Sequence, residues 1–167
     1  MRRFIGLATL GAACVLLVPA SSRAAGGNPG GPAWGPRVGV SIDPDQLVIG
    51  GQYTTGEIAP SVSFDPNLEL GFGDDQTVVA FNLDGHYHFN LKDSDWAPYV
   101  GFGLGINFVS VDRPAPQEDD SDTEVGGNFI LGSNVPLRQG SKFFAELKLG
   151  LGDVPSLKVM AGWNFPL

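Results

Sequence analysis

Two histidines placed two positions apart are the residues whose chemistry could be most specific. His86 and His88 follow Asp84 at alternate positions, so in an extended strand all three side chains project from one face. A His-x-His pair of this kind can ligate a metal, and it can equally be a hydrogen-bonded part of a polar interior. Because the sequence contains no other histidine, we interpret the pair as structural and expect no metal site and no cofactor.

The glycines and the acidic residues form two other patterns that could bind a ligand. Gly101, Gly103 and Gly105 have part of the spacing of a dinucleotide fingerprint, but the third glycine is misplaced and no helix follows to receive a phosphate. We predict instead that they make room for bulky side chains of neighbouring strands. The acidic segment Val111–Thr123 lacks the spaced ligands and the glycine of a calcium loop, which favours a solvated, mobile loop.

The first 25 residues have the features of a cleavable secretory signal peptide. Two arginines precede a short apolar run, and small residues follow it. We expect cleavage after Ala24 or Ala25, a flexible leader rich in Gly and Pro over 26–33, and one domain over 34–167. The only cysteine, Cys14, lies inside the signal, so the exported chain is expected to use neither disulfides nor thiolate metal sites.

The charge balance excludes nucleic acid as a partner. Three of the 10 basic residues lie in the signal segment, so seven remain against 18 acidic residues, a formal net charge of −11. No basic stripe is left to displace phosphate counterions. The acids collect in turns, glycine occurs 24 times, and no long helical period is present, which is typical of an all-β chain with tight turns.

Eight segments of alternating character are separated by turn residues, and each has about the length of a membrane-spanning strand. In the fifth, Phe102, Leu104 and Ile106 share one face, while Gly103 and Gly105 share the other. The third is interrupted by Asp-Pro-Asn, and either a bulge or a preceding loop would explain it. The eight predicted strands are Trp34–Asp43, Gln46–Thr54, Ile58–Phe72, Gln76–Asn90, Ala97–Ser110, Glu124–Val135, Lys142–Leu151 and Ser156–Phe165.

Alternation alone does not say which face meets lipid, because a soluble lipocalin-like barrel alternates in the same way with its apolar face inward. Three features favour apolar residues outward. The polar positions carry mainly Gly, Asn, Ser and charges of both signs, which suit a crowded interior. If both chain ends are periplasmic, the long loop Val111–Thr123 lies on the outer side of the membrane, where long loops belong. In the same topology, five amphipathic aromatics on the apolar face form a girdle at the periplasmic rim: Trp34, Tyr53, Tyr87, Trp96 and Trp163. Tyr99 is the exception, because it faces inward.

The stretches LELGFGDD, VVAFNLDGHYHF, WAPYVGFGLGINFV and KVMAGWNF resemble the small outer-membrane β-barrel family related to OmpA- and OmpX-type barrels. The resemblance implies a closed antiparallel up-and-down eight-stranded transmembrane barrel in the outer membrane of a Gram-negative-type bacterium. It also implies insertion by the barrel-assembly machinery, which reads an aromatic-ended last strand, and Phe165 fits that role. Pro166 and Leu167 after it depart from the pattern.

We therefore predict a non-enzymatic, monomeric envelope protein in contact with outer-membrane lipid. Eight strands leave room only for side chains, so a plugged interior without a pore is expected. A lipid-modifying barrel enzyme is less favoured, because neither histidine is followed two residues later by a serine and no nucleophile–base pair is evident. The remaining alternative is a soluble exported barrel that binds a small apolar ligand. The residues expected to form an interior polar network are Arg37, Asn82, Asp84, His86, His88, Glu146, Lys148 and Lys158.

Overall fold

The repeated alternation folds into a single antiparallel barrel. The computed structural model describes residues 25–26, 30–73, 76–92, 94–111 and 120–167. Its long strands are β1 (Ala33–Ile42), β2 (Gln46–Thr54), β3 (Val62–Gly73), β4 (Gln76–Asn90), β5 (Ala97–Val111), β6 (Asp120–Pro136), β7 (Lys142–Gly152) and β8 (Leu157–Pro166).

Each long strand pairs with the next along the chain, and the last pairs with the first. The β8–β1 ladder runs from Leu157 opposite Ile42 to Pro166 opposite Ala33. Closure leaves no long strand with a free edge to which another chain could add. The prediction of a closed antiparallel up-and-down barrel of eight strands is confirmed. Within the described ranges, no helix is long and apolar enough to cross a membrane.

The predicted strand bounds hold where turn residues are unambiguous and fail at two places. β2 and β4 begin and end as predicted. The third predicted segment is divided into a short strand, Glu57–Ala59, and β3, with a turn between them. β6 begins at Asp120, four residues earlier than predicted, and pairs with β5 as far as Val111, so the predicted loop Val111–Thr123 is too long. Backbone pairing needs no apolar face, and the polar residues 120–123 therefore extend β6.

Two ends of the barrel can be distinguished. The terminal end carries the start of β1, the end of β8, and the β2–β3, β4–β5 and β6–β7 connections; the distal end carries the other four connections. At the terminal end, Ala25–Gly26 pairs with Phe89 and Asn90 at the end of β4. Most of the predicted signal peptide, part of the leader and the centre of the acidic loop, residues 1–24, 27–29 and 112–119, lie outside the described residues.

Candidate functional site: the polar interior

The interior of the barrel is polar and its outer surface is apolar. Among the described residues, 19 polar or charged side chains are buried against seven hydrophobic ones, while 30 large hydrophobic side chains are exposed. Phe81, Phe102 and Leu104 are 42%, 53% and 55% exposed. This distribution is the reverse of that in a soluble protein, where buried side chains are mainly apolar. The chemistry of the molecule is therefore concentrated inside the barrel.

A layer of buried ion pairs, here called the charged layer, crosses the middle of the interior. Arg37 of β1 places Nη2 2.6 Å from Glu146 Oε1 and Nε 3.2 Å from Glu69 Oε1. The second oxygen of Glu69 accepts a 2.8 Å hydrogen bond from Lys158 Nζ. Glu69 thus joins β3 to both β1 and β8. The charged layer consists of Arg37, Glu69, Asp84, Glu146, Lys148 and Lys158.

Lys148 forms the second half of the charged layer. Its Nζ donates to Asp84 Oδ2 at 2.5 Å and lies 3.7 Å from Glu146 Oε1 and 3.9 Å from Glu69 Oε1. Asn67 Nδ2 donates to the same Asp84 oxygen at 2.7 Å. Because an unpaired charge is costly to bury, each of these side chains depends on its partners to remain inside.

Three glycines of β5 make space for side chains of β4. In the β4–β5 register, Gly101, Gly103 and Gly105 lie opposite His86, Asp84 and Asn82 in turn. A Cβ built on Gly101 would lie 2.6 Å from His86 Cδ2, one on Gly103 would overlap the Asp84 carboxylate, and one on Gly105 would lie 2.9 Å from Asn82 Oδ1. The interpretation of this Gly-x-Gly-x-Gly run as room for neighbouring side chains is confirmed.

A second cluster, the histidine layer, lies between the charged layer and the terminal end. His86 Nδ1 lies 3.1 Å from Asp65 Oδ2, whose other oxygen accepts from Thr54 Oγ1 at 2.5 Å. The Tyr99 ring stacks on His86 with centroids 4.6 Å apart and lies 5.4 Å from His88. Tyr99 OH donates to Glu146 Oε2 at 2.9 Å, which connects the two layers.

The histidine layer contains a contact that the sequence reading missed. Ser63 Oγ lies 2.9 Å from His88 Nε2 and donates to Asp65 Oδ2 at 2.5 Å. Ser63 and His88 are 25 positions apart in the sequence, and it is the pairing of β3 with β4 that brings them together. Ser63 is 0% exposed, however, so a substrate carbonyl cannot approach its hydroxyl in this conformation.

A cavity of about 100 Å³ opens at the terminal end over the histidine layer. Its walls include both histidines, Tyr99, Lys142 and the backbone of Gly30 and Gly31. The backbone just before β1 therefore partly covers this mouth of the barrel.

The β7–β8 connection covers part of the distal end. Val154 inserts between three glycines on successive strands, so that Cβ atoms built on Gly105, Gly126 and Gly150 would lie 3.7, 2.8 and 3.0 Å from its methyl groups. Ser156 anchors the connection, because Gly150 N donates to its carbonyl at 3.0 Å. Val154 acts as an apolar cap over the polar interior.

The predicted aromatic girdle residues are exposed, and they lie at one end of the barrel. Trp34 and Tyr53 face each other across β1 and β2, and Trp34 contacts Phe165 with ring centroids 6.1 Å apart. Phe165 is exposed on the last strand, and Trp163 packs edge-on against Phe143 at 5.6 Å. All belong to the terminal end: Trp34, Tyr53, Tyr87, Trp96, Trp163 and Phe165.

The sequence reading also missed the inward face of β3. Ser63, Asp65, Asn67 and Glu69 are all buried, and they occupy every second position. That spacing was visible in the sequence, but treating Pro66 as a break concealed it. Pro66 is in fact paired within β3, opposite Leu83.

The two histidines are bonded to other side chains of the interior in this arrangement. Their ring centroids are 6.3 Å apart, and each imidazole already bonds a serine or a carboxylate. No group of three or more His, Cys, Asp or Glu side chains within the described ranges is placed to hold a metal ion.

Two solved structures share this architecture. The crystal structure of Neisserial surface protein A (NspA) superimposes with a TM-score of 0.61 at 16% identity, covering 81% of this chain and 94% of that one. The N-terminal β-barrel domain of Pseudomonas aeruginosa OprF gives 0.63 at 18% identity, covering 80% and 93%. No protein-family model matches the sequence, and no curated protein matches it significantly. Both solved structures are eight-stranded outer-membrane barrels, and this chain has their fold.

Proposed function

We propose that the protein is a non-enzymatic barrel of a Gram-negative-type outer membrane, with a structural or surface-exposed envelope role. The observation that carries the proposal is the inverted distribution of side chains, apolar outward and polar inward. Such an outer surface is stable in hydrocarbon and costly in water. The two structures with the same fold support it.

The girdle supports a periplasmic position for the terminal end. Tyr and Trp rings with a polar tip favour the lipid–water boundary, and five of them are exposed at that end. The distal connections, with the acidic residues, would then face outside the cell. Insertion by the barrel-assembly machinery, with Phe165 in the signal that it reads, and a monomer in contact with outer-membrane lipid belong to the same proposal.

The absence of catalysis and of a conducting pore is proposed from the packing. The charged layer is buried between the two ends, and Val154 caps the distal side. The Ser63–His88 contact is enclosed. A soluble barrel with an apolar ligand would need Phe81, Phe102 and Leu104 directed toward the axis, and all three are exposed on the outside.

Fluorescence quenching by brominated lipids tests the proposal. The folded protein is inserted into vesicles whose acyl chains carry bromine at defined depths. We expect Trp34, Trp96 and Trp163 to be quenched most by bromine near the headgroups. In a matched variant that carries only Trp at position 102 (Phe102→Trp, with the native tryptophans changed to Phe), we expect quenching to be strongest near the bilayer centre. Absence of quenching, together with recovery of the protein in the soluble fraction, would overturn the proposal.

A further inference from the structure

The interior between the charged layer and the distal cap contains polar groups without partners. Within the described ranges, Asn82 Oδ1, Asn107 Oδ1 and both side-chain polar atoms of Asn128 are buried and make no hydrogen bond. Buried amide oxygens normally have a partner. The amide oxygens of these three residues are therefore available to a hydrogen-bond donor or to a cation.

One of these residues, Asn107, lines a cleft that opens at the distal end. The cleft has a volume of about 140 Å³, and its walls include Asn107, Glu124, Gln76 and Asp43. Asn107 is 1% exposed and is paired directly with Glu124 across β5 and β6. Side chains of directly opposed residues have Cβ atoms about 4.5–5.5 Å apart, so an amide oxygen and a carboxylate line the same wall.

The β1–β2 turn also lines the cleft, through Asp43 and Pro44. Asp43 accepts a 3.2 Å hydrogen bond from Ser156 Oγ through Oδ2, and Asp43 O accepts from Ser156 N, also at 3.2 Å. Ser156 belongs to the connection that carries Val154. The exposed Asp43 carboxylate at this cleft is therefore hydrogen-bonded to the connection that carries the cap.

The charge around the cleft attracts cations. Asp122 and Asp153 lie close enough to Glu124 to act on it electrostatically. In the sequence, the four distal connections and the strand ends beside them contain 11 acidic residues and one basic residue, Arg113. Lys148 and Lys158 are the basic residues of the described ranges that lie nearest to the β7–β8 connection along the chain, and both are already paired with carboxylates of the charged layer. Charges of one sign around a cleft raise the local concentration of the opposite ion.

We propose that the distal cleft binds a hard divalent cation of the calcium type. Asn107 Oδ1, the Glu124 carboxylate and the Asp43 carboxylate are its protein ligands, and water completes the shell. All three are oxygen donors, which Ca²⁺ prefers, and a mixed set of carboxylate, amide and water ligands suits its flexible coordination. Sites of this type in extracellular proteins bind with dissociation constants of about 10⁻⁴–10⁻³ M. Binding joins β5 and β6 to the β1–β2 turn and, through Ser156, to the Val154 cap.

Calorimetric titration of the purified folded protein with CaCl₂ tests this site. The protein is held in a zwitterionic detergent at 0.15 M NaCl, where diffuse attraction between exposed charges is screened. We expect one site per chain with a dissociation constant in the range above. Asn107→Leu and Glu124→Gln should each weaken binding at least tenfold, whereas Asn107→Asp, which adds a carboxylate ligand, should tighten it severalfold.

Asp122→Asn is the matched control, since it removes one charge from the same rim without lining the cleft. It should change the dissociation constant less than threefold. Equal losses for Asp122→Asn and Glu124→Gln, with Asn107→Leu unaffected, would show diffuse charge attraction and overturn the proposal. Absence of any saturable Ca²⁺ binding to the wild-type protein would do the same and leave ordered water as the partner of Asn107. Heat-modifiable migration on gels, measured for each variant, identifies a variant that has not folded, and the Asn107→Asp variant then provides an independent test.

Discussion

Removing the cation of the Lys148–Asp84 pair should destabilise the barrel more than removing its carboxylate. Both residues are 0% exposed and joined by the 2.5 Å contact. Within the described ranges, Lys148 is the only cationic group within 4 Å of Asp84, whereas Lys148 also has Glu69 and Glu146 within that distance. Lys148→Met therefore leaves the buried Asp84 carboxylate without a cation within 4 Å, while Asp84→Asn leaves the ammonium group with two carboxylates.

The magnitude follows from the cost of an unpaired buried charge. Breaking a buried ion pair by removing one partner costs about 3–5 kcal/mol, and we expect that loss in the free energy of unfolding for Lys148→Met. For Asp84→Asn we expect about half, because the remaining carboxylates stabilise Lys148 and the new amide can still accept from Asn67 Nδ2. The double variant removes both charges and should lie within about 1.5 kcal/mol of the wild-type protein.

Urea unfolding in lipid vesicles, followed by the fluorescence of the surface tryptophans, measures these free energies. The four proteins form a double-mutant cycle in which the coupling energy should be about 3 kcal/mol or more. Single-variant losses below about 1 kcal/mol that simply add in the double variant would refute the reasoning. They would mean that water reaches Asp84 and replaces Lys148 as its partner.

Two further predictions concern the ends of the barrel. In a chain with Cys14→Ser, a cysteine placed at the cap (Val154→Cys) should react slowly with a maleimide. Gly126→Leu should speed this reaction at least tenfold, because a Cβ at Gly126 would lie 2.8 Å from the Val154 methyl. Equal rates would show that the cap is already mobile. Phe165→Ala should slow the appearance of the heat-modifiable folded form in vesicles or cells, because the last strand then lacks its aromatic end. Leu167→Ala, at an exposed residue two positions later, should leave this rate unchanged. Equal folding rates for the two variants would show that Phe165 is not part of the assembly signal.

The barrel itself could be predicted from the sequence because strand period and turn residues agree along most of the chain. β2 and β4 lie between clear turn residues, and their bounds were predicted to the residue. β3 was harder, since Pro66 indicated a break where the structure has a paired position. As a result, the inward-facing residues of β3 were not predicted, including Glu69, whose carboxylate contacts both Arg37 and Lys158.

Contacts between strands were harder to predict from the sequence than the strands themselves. The Ser63–His88 hydrogen bond depends on the register of β3 against β4, and a shift of one residue would place the serine on the opposite face. The Val154 cap depends on how a short connection folds back over three glycines of different strands. No periodic pattern in a single sequence specifies either feature, because both arise from positions distant along the chain.

The charged layer explains why the register of this barrel is unique. A slip of one residue in β1, β3 or β7 would move Arg37, Glu69 or Lys148 from the interior to the apolar surface, where burial in lipid costs several kcal/mol without a partner. A slip in β5 would replace a glycine opposite Asp84 with a larger side chain. Apolar residues on the outer face have no comparable preference for one another, since lipid tails satisfy them in any register. The polar interior therefore selects the fold, and the outer face determines only the solvent in which it is stable.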